Sequence, residues 1–197
     1  ESTSPVGTTD EVAKLIALQR PDLGVPGNTH GPADIAIAYC PERVLPGKII
    51  AELRSNDRVI GGMTPECSTK ARRLYARFVE GICFETDARS AEMVKLVENS
   101  FRDVNIAFAN ELSLVADRFD INVWEVIRLA NRHPRVNVLQ PGPGVGGHCI
   151  AVDPWFIDAA APSCTPLIQT ARRVNDGKSR WVIDQVQARV AALEAQL

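Results

Sequence analysis

Eight apolar residues, Val94, Val97, Phe101, Val104, Phe108, Leu112, Val115 and Phe119, follow one another at intervals of three or four. That spacing is the stripe of an α-helix, which turns about 100° per residue. It predicts one unbroken helix from about residue 88 to 119, well beyond the average of about 11–12 residues. A helix of that length buries both faces, which implies a second copy of the chain. The competing reading is a helix that only spans between two domains. Lys95 and Asn99, an i,i+4 pair about 40° apart, fall on the face opposite Val97.

A different pattern precedes this helix. Residues from Thr8 to about Arg20 read as a helix with Thr8, Thr9 or Asp10 as cap and Pro21 as stop. The apolar run 34–40 reads as a buried strand, and residues 58–61 and 82–86 are further strand candidates. Between these two, Thr64-Pro65-Glu66 opens a helix with proline at its first position. Strands alternating with helices predict α/β architecture up to about residue 86. After the long helix, a second one runs from Val123 to His133 and stops at Pro134. A last amphipathic helix runs from about Pro166 to the C-terminus, with Gly177 as a point where it can break. The later part of the chain is therefore expected to be all-helical.

Composition narrows the function. The 197 residues are 45% hydrophobic with a formal net charge of −2, signs mixed throughout. There is no basic stripe for nucleic acid and no apolar run near the roughly 20 residues of a membrane span. Five cysteines without a framework pattern fit a reducing cytoplasm. No two of them form a C-x-x-C pair, so no metal site is expected.

Residues 141–149 read Pro-Gly-Pro-Gly-Val-Gly-Gly-His-Cys. Glycine allows backbone N–H groups to approach a ligand and to adopt positive φ. A thiol at the end of such a loop can attack a substrate that the backbone holds, and Asp153 is near enough in sequence to share the pocket. Equally, a lone cysteine is a small buried apolar group and a Gly/Pro cluster only marks a loop. From these residues alone both readings stand. Gly142-Pro-Gly-Val-Gly-Gly147 imitates a dinucleotide fingerprint, but it follows a helical segment and leads to Cys149. The fingerprint needs a strand before it and a helix after it, so this match is rejected.

Three stretches in order, Tyr39-Cys-Pro-Glu-Arg-Val-Leu-Pro-Gly47, Ala91-Glu-Met-Val-Lys-Leu-Val-Glu-Asn-Ser-Phe-Arg-Asp-Val-Asn105 and the loop from Gly142 to Asp153, resemble the nucleotide-sugar 6-dehydrogenase family. His148 and the following Cys-Ile-Ala-Val-Asp-Pro-Trp-Phe156 look most like the UDP-N-acetylmannosamine branch, since the UDP-glucose branch lacks a histidine before the cysteine. The resemblance implies oxidation of a C6 alcohol to a carboxylate in two steps, with NAD as cofactor and a UDP-sugar as substrate. It implies that Cys149 captures the intermediate aldehyde. Lys95 and Asn99 serve the reacting oxygen, Asp153 holds the lysine or a water, and Glu42 orients water near a thioester. Thr3 lies near the nicotinamide, and with Glu42 it is also placed on the cofactor's side. Pro46 stands where the UDP-glucose branch often has a second acid, so that acid is not carried over. Arg135 is implied to reach substrate across a subunit interface, with Val138, Leu139, Gln140, Gly146 and His148 also contacting the sugar nucleotide.

The implied fold is the C-terminal part of a Rossmann-like parallel-sheet domain over residues 1–86. An all-helical central dimerisation domain with the cysteine loop follows over 87–165, then the start of a linker helix over 166–197. The opening Glu1-Ser-Thr-Ser-Pro reads like the end of a strand, so the chain is expected to be a fragment that is inactive alone. The pyrophosphate-gripping piece is expected upstream and the UDP-binding domain downstream. A cytoplasmic homodimer that makes a precursor of surface polysaccharide is the implied setting. The rivals are a UDP-glucose or UDP-N-acetylglucosamine 6-dehydrogenase and a non-catalytic helical dimerisation module. A thiol acyltransferase is a third, drawing its base from His30, His133 or His148.

Overall fold

The computed structural model describes residues 1–28 and 32–195. The chain divides into two compact units, Glu1–Leu96 and Val97–Leu197.

The first unit is α/β. Its elements are α1 (Thr8–Gln19), β1 (Ala38–Tyr39), α2 (Ile49–Ser55), β2 (Arg58–Gly62), α3 (Pro65–Tyr75), β3 (Cys83–Asp87) and the first turns of α4 (Ala88–Arg118). The β2–α3–β3 segment is a parallel crossover unit with Arg58 opposite Cys83 and Gly62 opposite Asp87. The α3 start follows the sequence reading: Pro65 occupies the first turn and the Thr64 hydroxyl accepts the Cys67 N–H. The core beneath is formed by Cys40, Ile60 and Tyr75, with Ala38, Ala71, Val79 and Cys83 around them. Gly61 is required by a close approach, since a Cβ there would sit 2.5 Å from that of Ala91 on α4.

Several features differ from what the sequence predicts. The sheet is mixed rather than wholly parallel, because β1 pairs antiparallel with β2. The 34–40 strand shrinks to Ala38–Tyr39, paired only with Gly62 and Gly61. The α1 cap is none of Thr8, Thr9 and Asp10. Gly7 takes that position with φ +96°, and no side chain of its own caps the helix. A remote group does the work. The fully buried Glu92 carboxylate accepts the N–H of Gly7 at 2.6 Å and both the N–H and hydroxyl of Thr9 at 2.8 and 2.6 Å. A carboxylate at a helix N-terminus also meets the positive end of the helix dipole. The seven-residue α2 has no counterpart in the sequence reading.

The second unit is helical, with no strand among its described residues. It holds the remainder of α4, α5 (Val123–Ala130), α6 (Asp153–Ala160), a 3-10 turn (Pro162–Cys164) and α7 (Pro166–Glu194). Helix α4 matches the periodicity closely. Helix α5 stops at Ala130, short of His133, with Asn122 capping its start through the N–H groups of Trp124 and Glu125. Helix α7 runs through Gly177 without a break.

Helices α4 and α7 meet through polar groups. Arg172, 2% exposed, reaches Asp103 at 2.6 Å, and the Asn175 amide donates to the same carboxylate at 2.8 Å. Burial pushes the Asp103 carboxyl up, and Arg172 and Asn175 oppose it. The buried Lys178 donates to Ser113 at 2.7 Å and lies 3.7 Å from the centre of the Trp181 ring. Burial pushes its ammonium down.

The apolar stripe of α4 shows the opposite exposure to a core face. Phe101 is 66% exposed and Phe119 70%, with Val97, Phe108 and Val115 also exposed. The buried face carries Asn99, Asp103, Ala107 and Asn110 instead.

Candidate active site

The loop before Cys149 is built in two halves. Asn131, just past α5, grips Val138 from both sides: its amide donates to the Val138 carbonyl at 2.9 Å and its oxygen accepts the Val138 N–H at 2.7 Å. Pro141 is buried, and the Gly142 N–H donates to Asn110 on α4 at 2.9 Å. The Ser179 hydroxyl on α7 donates to the Pro143 carbonyl at 2.8 Å. Gly144, at φ +140°, has no room for a Cβ, which would meet the Ser179 hydroxyl oxygen at 2.3 Å. After this clamp the chain opens: a Cβ on Gly146 or Gly147 would meet no atom within 4 Å.

Cys149 follows, exposed. Its carbonyl accepts the N–H groups of Val152 and Asp153 at 3.0 and 2.8 Å, which turns the chain into α6. Its sulfur lies 3.2 Å from His148 Nδ1. Asp153, the first residue of α6, is 3% exposed, and its carboxylate accepts from the Asn99 amide at 2.5 Å. Asn99 and Asp153 are thus joined directly, 54 positions apart in the chain. Pro154 marks this helix start in the sequence, a signal the reading of Asp153 as part of a loop missed.

Of the remaining substrate candidates, Arg135 is exposed beyond α5, with its N–H on His133 Nδ1 at 3.3 Å. Val138 and Leu139 are half-buried, and Gln140, Gly146 and His148 are exposed.

In the first unit, Thr3 and Glu42 come from segments that touch, the Glu42 N–H donating to the Glu1 carbonyl at 3.3 Å. The half-buried Glu42 carboxylate accepts the Arg43 N–H at 2.7 Å and faces the Arg58 guanidinium at 3.6 Å. Arg58 is 1% exposed and stacks on the Tyr75 ring at 5.4 Å. Lys95 is half-buried on α4, one turn before Asn99. His30 lies outside the described residues. Among the described residues no cluster of three or more His, Cys, Asp or Glu could hold a metal ion.

Sequence reasoning missed Glu92, Asn110, Asn131 and Arg58. Each is a polar residue in a stretch that reads as a solvated helix face, a loop or a strand end. Their partners lie on other segments, which no local pattern reveals.

Comparison with known proteins gives this geometry a context. Residues 1–79 match the NAD-binding domain of the UDP-glucose/GDP-mannose dehydrogenase family, and residues 89–177 match its central domain. The chain belongs to this family. Its UDP-glucose/GDP-mannose dehydrogenase relatives include the UDP-N-acetyl-D-mannosamine dehydrogenase of Yersinia pestis, 67% identical over 97% of the chain and 46% of that relative. The NDP-N-acetyl-D-galactosaminuronic acid dehydrogenase of Ralstonia nicotianae is 63% identical over 95% of the chain and 44% of its own length. The solved UDP-D-ManNAc dehydrogenase of Pyrococcus horikoshii superposes with a TM-score of 0.90 at 42% identity, covering 98% of the chain and 45% of that structure. The chain thus spans about half the length of the curated relatives it matches.

Proposed function

We propose that this chain is the middle portion of an NAD-dependent UDP-N-acetylmannosamine 6-dehydrogenase, which oxidises the C6 alcohol to the uronate through a thioester on Cys149. The observation that carries the reading is the cysteine loop: clamped to Asn110 and Ser179, it leads to an exposed thiol on Cys149, whose carbonyl accepts the N–H of Asp153, the buried partner of Asn99. The 67% identity to a UDP-N-acetyl-D-mannosamine dehydrogenase supports the choice of substrate.

The residues present fit the cofactor's reactive end. Thr3 is half-buried and the neighbouring Ser4 hydroxyl is buried with no hydrogen-bond partner among the described residues, leaving it free for an amide. NAD would supply the acceptor for the hydrides, one molecule for each of the two steps, with the protons released to solvent.

Lys95 stabilises negative charge on the C6 oxygen as the alcohol is oxidised, and Asn99 donates to the same oxygen. An aldehyde has no second hydride to give until a nucleophile adds to its carbonyl. The Cys149 thiolate adds there and makes a tetrahedral thiohemiacetal. Its oxidation leaves a thioester, which water held by Glu42 cleaves to the carboxylate. Asp153 fixes the Asn99 amide through a charge-assisted hydrogen bond. Arg135 and residues 138–140 hold the sugar nucleotide, with His148 and Gly146 beside it. Two such chains pair through the apolar stripe of α4, and the dimer works in the cytoplasm to supply a precursor of surface polysaccharide. Among the described residues no helix is long and apolar enough to cross a membrane.

The test is Cys149→Ser in the complete enzyme with NAD and UDP-N-acetylmannosamine. Uronate production should vanish while the protein stays folded. Mass spectrometry of the unmodified enzyme during turnover should show an acyl adduct on the 141–160 peptide. Undiminished uronate from the variant rejects the reading.

One observation favours a second reading. His148 Nδ1 lies within hydrogen-bond reach of the Cys149 sulfur, as a thiol acyltransferase requires. Such an enzyme would transfer acyl groups to Cys149 without NAD, and an NAD-free acylation assay separates the two.

A further inference from the structure

We propose that Asn110 is a positioning residue for this oxidation: it sets the backbone of the 141–147 loop that presents Cys149. The inference rests on the reading given above.

Residues 99, 103 and 110 of α4 lie within about 40° of one another around the helix. All three are polar and at most 5% exposed. Burying such groups costs free energy unless each finds a partner, so their bonds show what the face is for. The two ends of the face grip the two ends of one segment. At one end the Asn99 amide holds Asp153, where α6 begins. At the other, eleven positions and about 16 Å along the axis, the Asn110 oxygen accepts the Gly142 N–H at 2.9 Å.

Asn110 does not hold that N–H alone. Its amide donates to the Asn175 oxygen at 2.9 Å, and the Asn175 amide donates to the Asp103 carboxylate. Asp103 in turn takes Arg172 at 2.6 Å, and Arg172 reaches Asp176 at 2.5 Å. Five side chains therefore form one hydrogen-bonded line from α7 to a single N–H of the glycine loop. A role in joining α4 to α7 needs only the bond to Asn175. The second bond leaves the helix pair and goes to the segment that leads to Cys149. Among the described residues no other group accepts the Gly142 N–H and so fixes its direction. The Ser179 bond to the Pro143 carbonyl supports the same turn from the other side.

The experiment uses the complete enzyme and compares Asn110→Ala and Ser179→Ala with Cys149→Ser. Each is assayed well below its own unfolding midpoint. Misplacing the loop should lower kcat for uronate formation by about tenfold in Asn110→Ala and about threefold in Ser179→Ala, while KM for NAD stays within about twofold. Ser179 is exposed, so its variant folds and decides the matter if Asn110→Ala does not. Unchanged kcat in the folded variants, with Cys149→Ser inactive, overturns the proposal and leaves Asn110 a joint between helices. A parallel rise in KM for NAD means general damage and overturns it as well. Full activity in Cys149→Ser instead removes the oxidation reading, and this inference with it.

Discussion

Alanine at each of three loop glycines should separate what the fold demands from what it merely allows. At Gly144 two costs add. The backbone sits at φ +140°, a region that side-chain-bearing residues seldom occupy, and forcing one there costs about 1–3 kcal/mol. The new Cβ would lie 2.3 Å from the Ser179 hydroxyl oxygen, so that side chain must rotate away. Rotation breaks its bond to the Pro143 carbonyl, worth about 1 kcal/mol. Gly144→Ala should therefore lose about 3 kcal/mol, or roughly 6–12 °C in Tm for a chain of this size. At Gly147 only the backbone is affected, at φ +84° with open space around it, and the loss should be about 1 kcal/mol. At Gly146 neither cost applies, and the change should stay within about 0.5 kcal/mol. Thermal melts followed by circular dichroism rank the three. Equal midpoints for the Gly144 and Gly146 variants would show that Ser179 does not clamp the loop at Gly144.

Glu92→Gln should destabilise the protein by about 1–3 kcal/mol, because an NH2 group would then face an N–H or hydroxyl donor at the start of α1; an unchanged urea midpoint would contradict the capping role. Lys178 has its ammonium pushed down by burial, so the unfolded chain holds that proton more tightly. Its penalty is present while both states are protonated and is relieved as pH rises toward the usual lysine value of 10.5. Wild type should therefore gain on Lys178→Met as pH rises toward 10.5 in paired urea titrations, and a constant difference between the two would refute this. Replacing Phe101 and Phe108 together by aspartate should yield monomers of the complete enzyme in sedimentation velocity. A persistent dimer would mean that another surface joins the copies.

The long helix was legible because a period of three or four persists over eight apolar positions. Its sidedness was not. The periodicity marks an apolar face but not what covers it, and within the single chain that face is exposed while Asn99, Asp103 and Asn110 are buried. Helix α3 could be read because Thr64 and Pro65 encode its start locally. Helix α1 could not be capped correctly, since its cap is a carboxylate 83 positions away. The 34–40 run looked like a full strand, yet its pairing ends at Gly61, leaving two residues in the ladder. Cys149, Asn99 and Asp153 stood out as candidates from type and order, and the structure joins the last two directly. The groups that hold the loop, Asn110, Asn131 and Ser179, were not, because asparagine and serine carry no signature until their partners are known.

Gly146 offers a last consequence. Its φ is not in the left-handed region and a Cβ there would meet no atom within 4 Å, so the fold gives no reason to keep a hydrogen there. Selection for folded protein would let larger residues accumulate at this site, whereas selection for a working catalyst would purge them if Gly146 lies against the sugar nucleotide as proposed. Two such libraries would part company at residue 146 sooner than at Gly144, where both selections ask for the same thing.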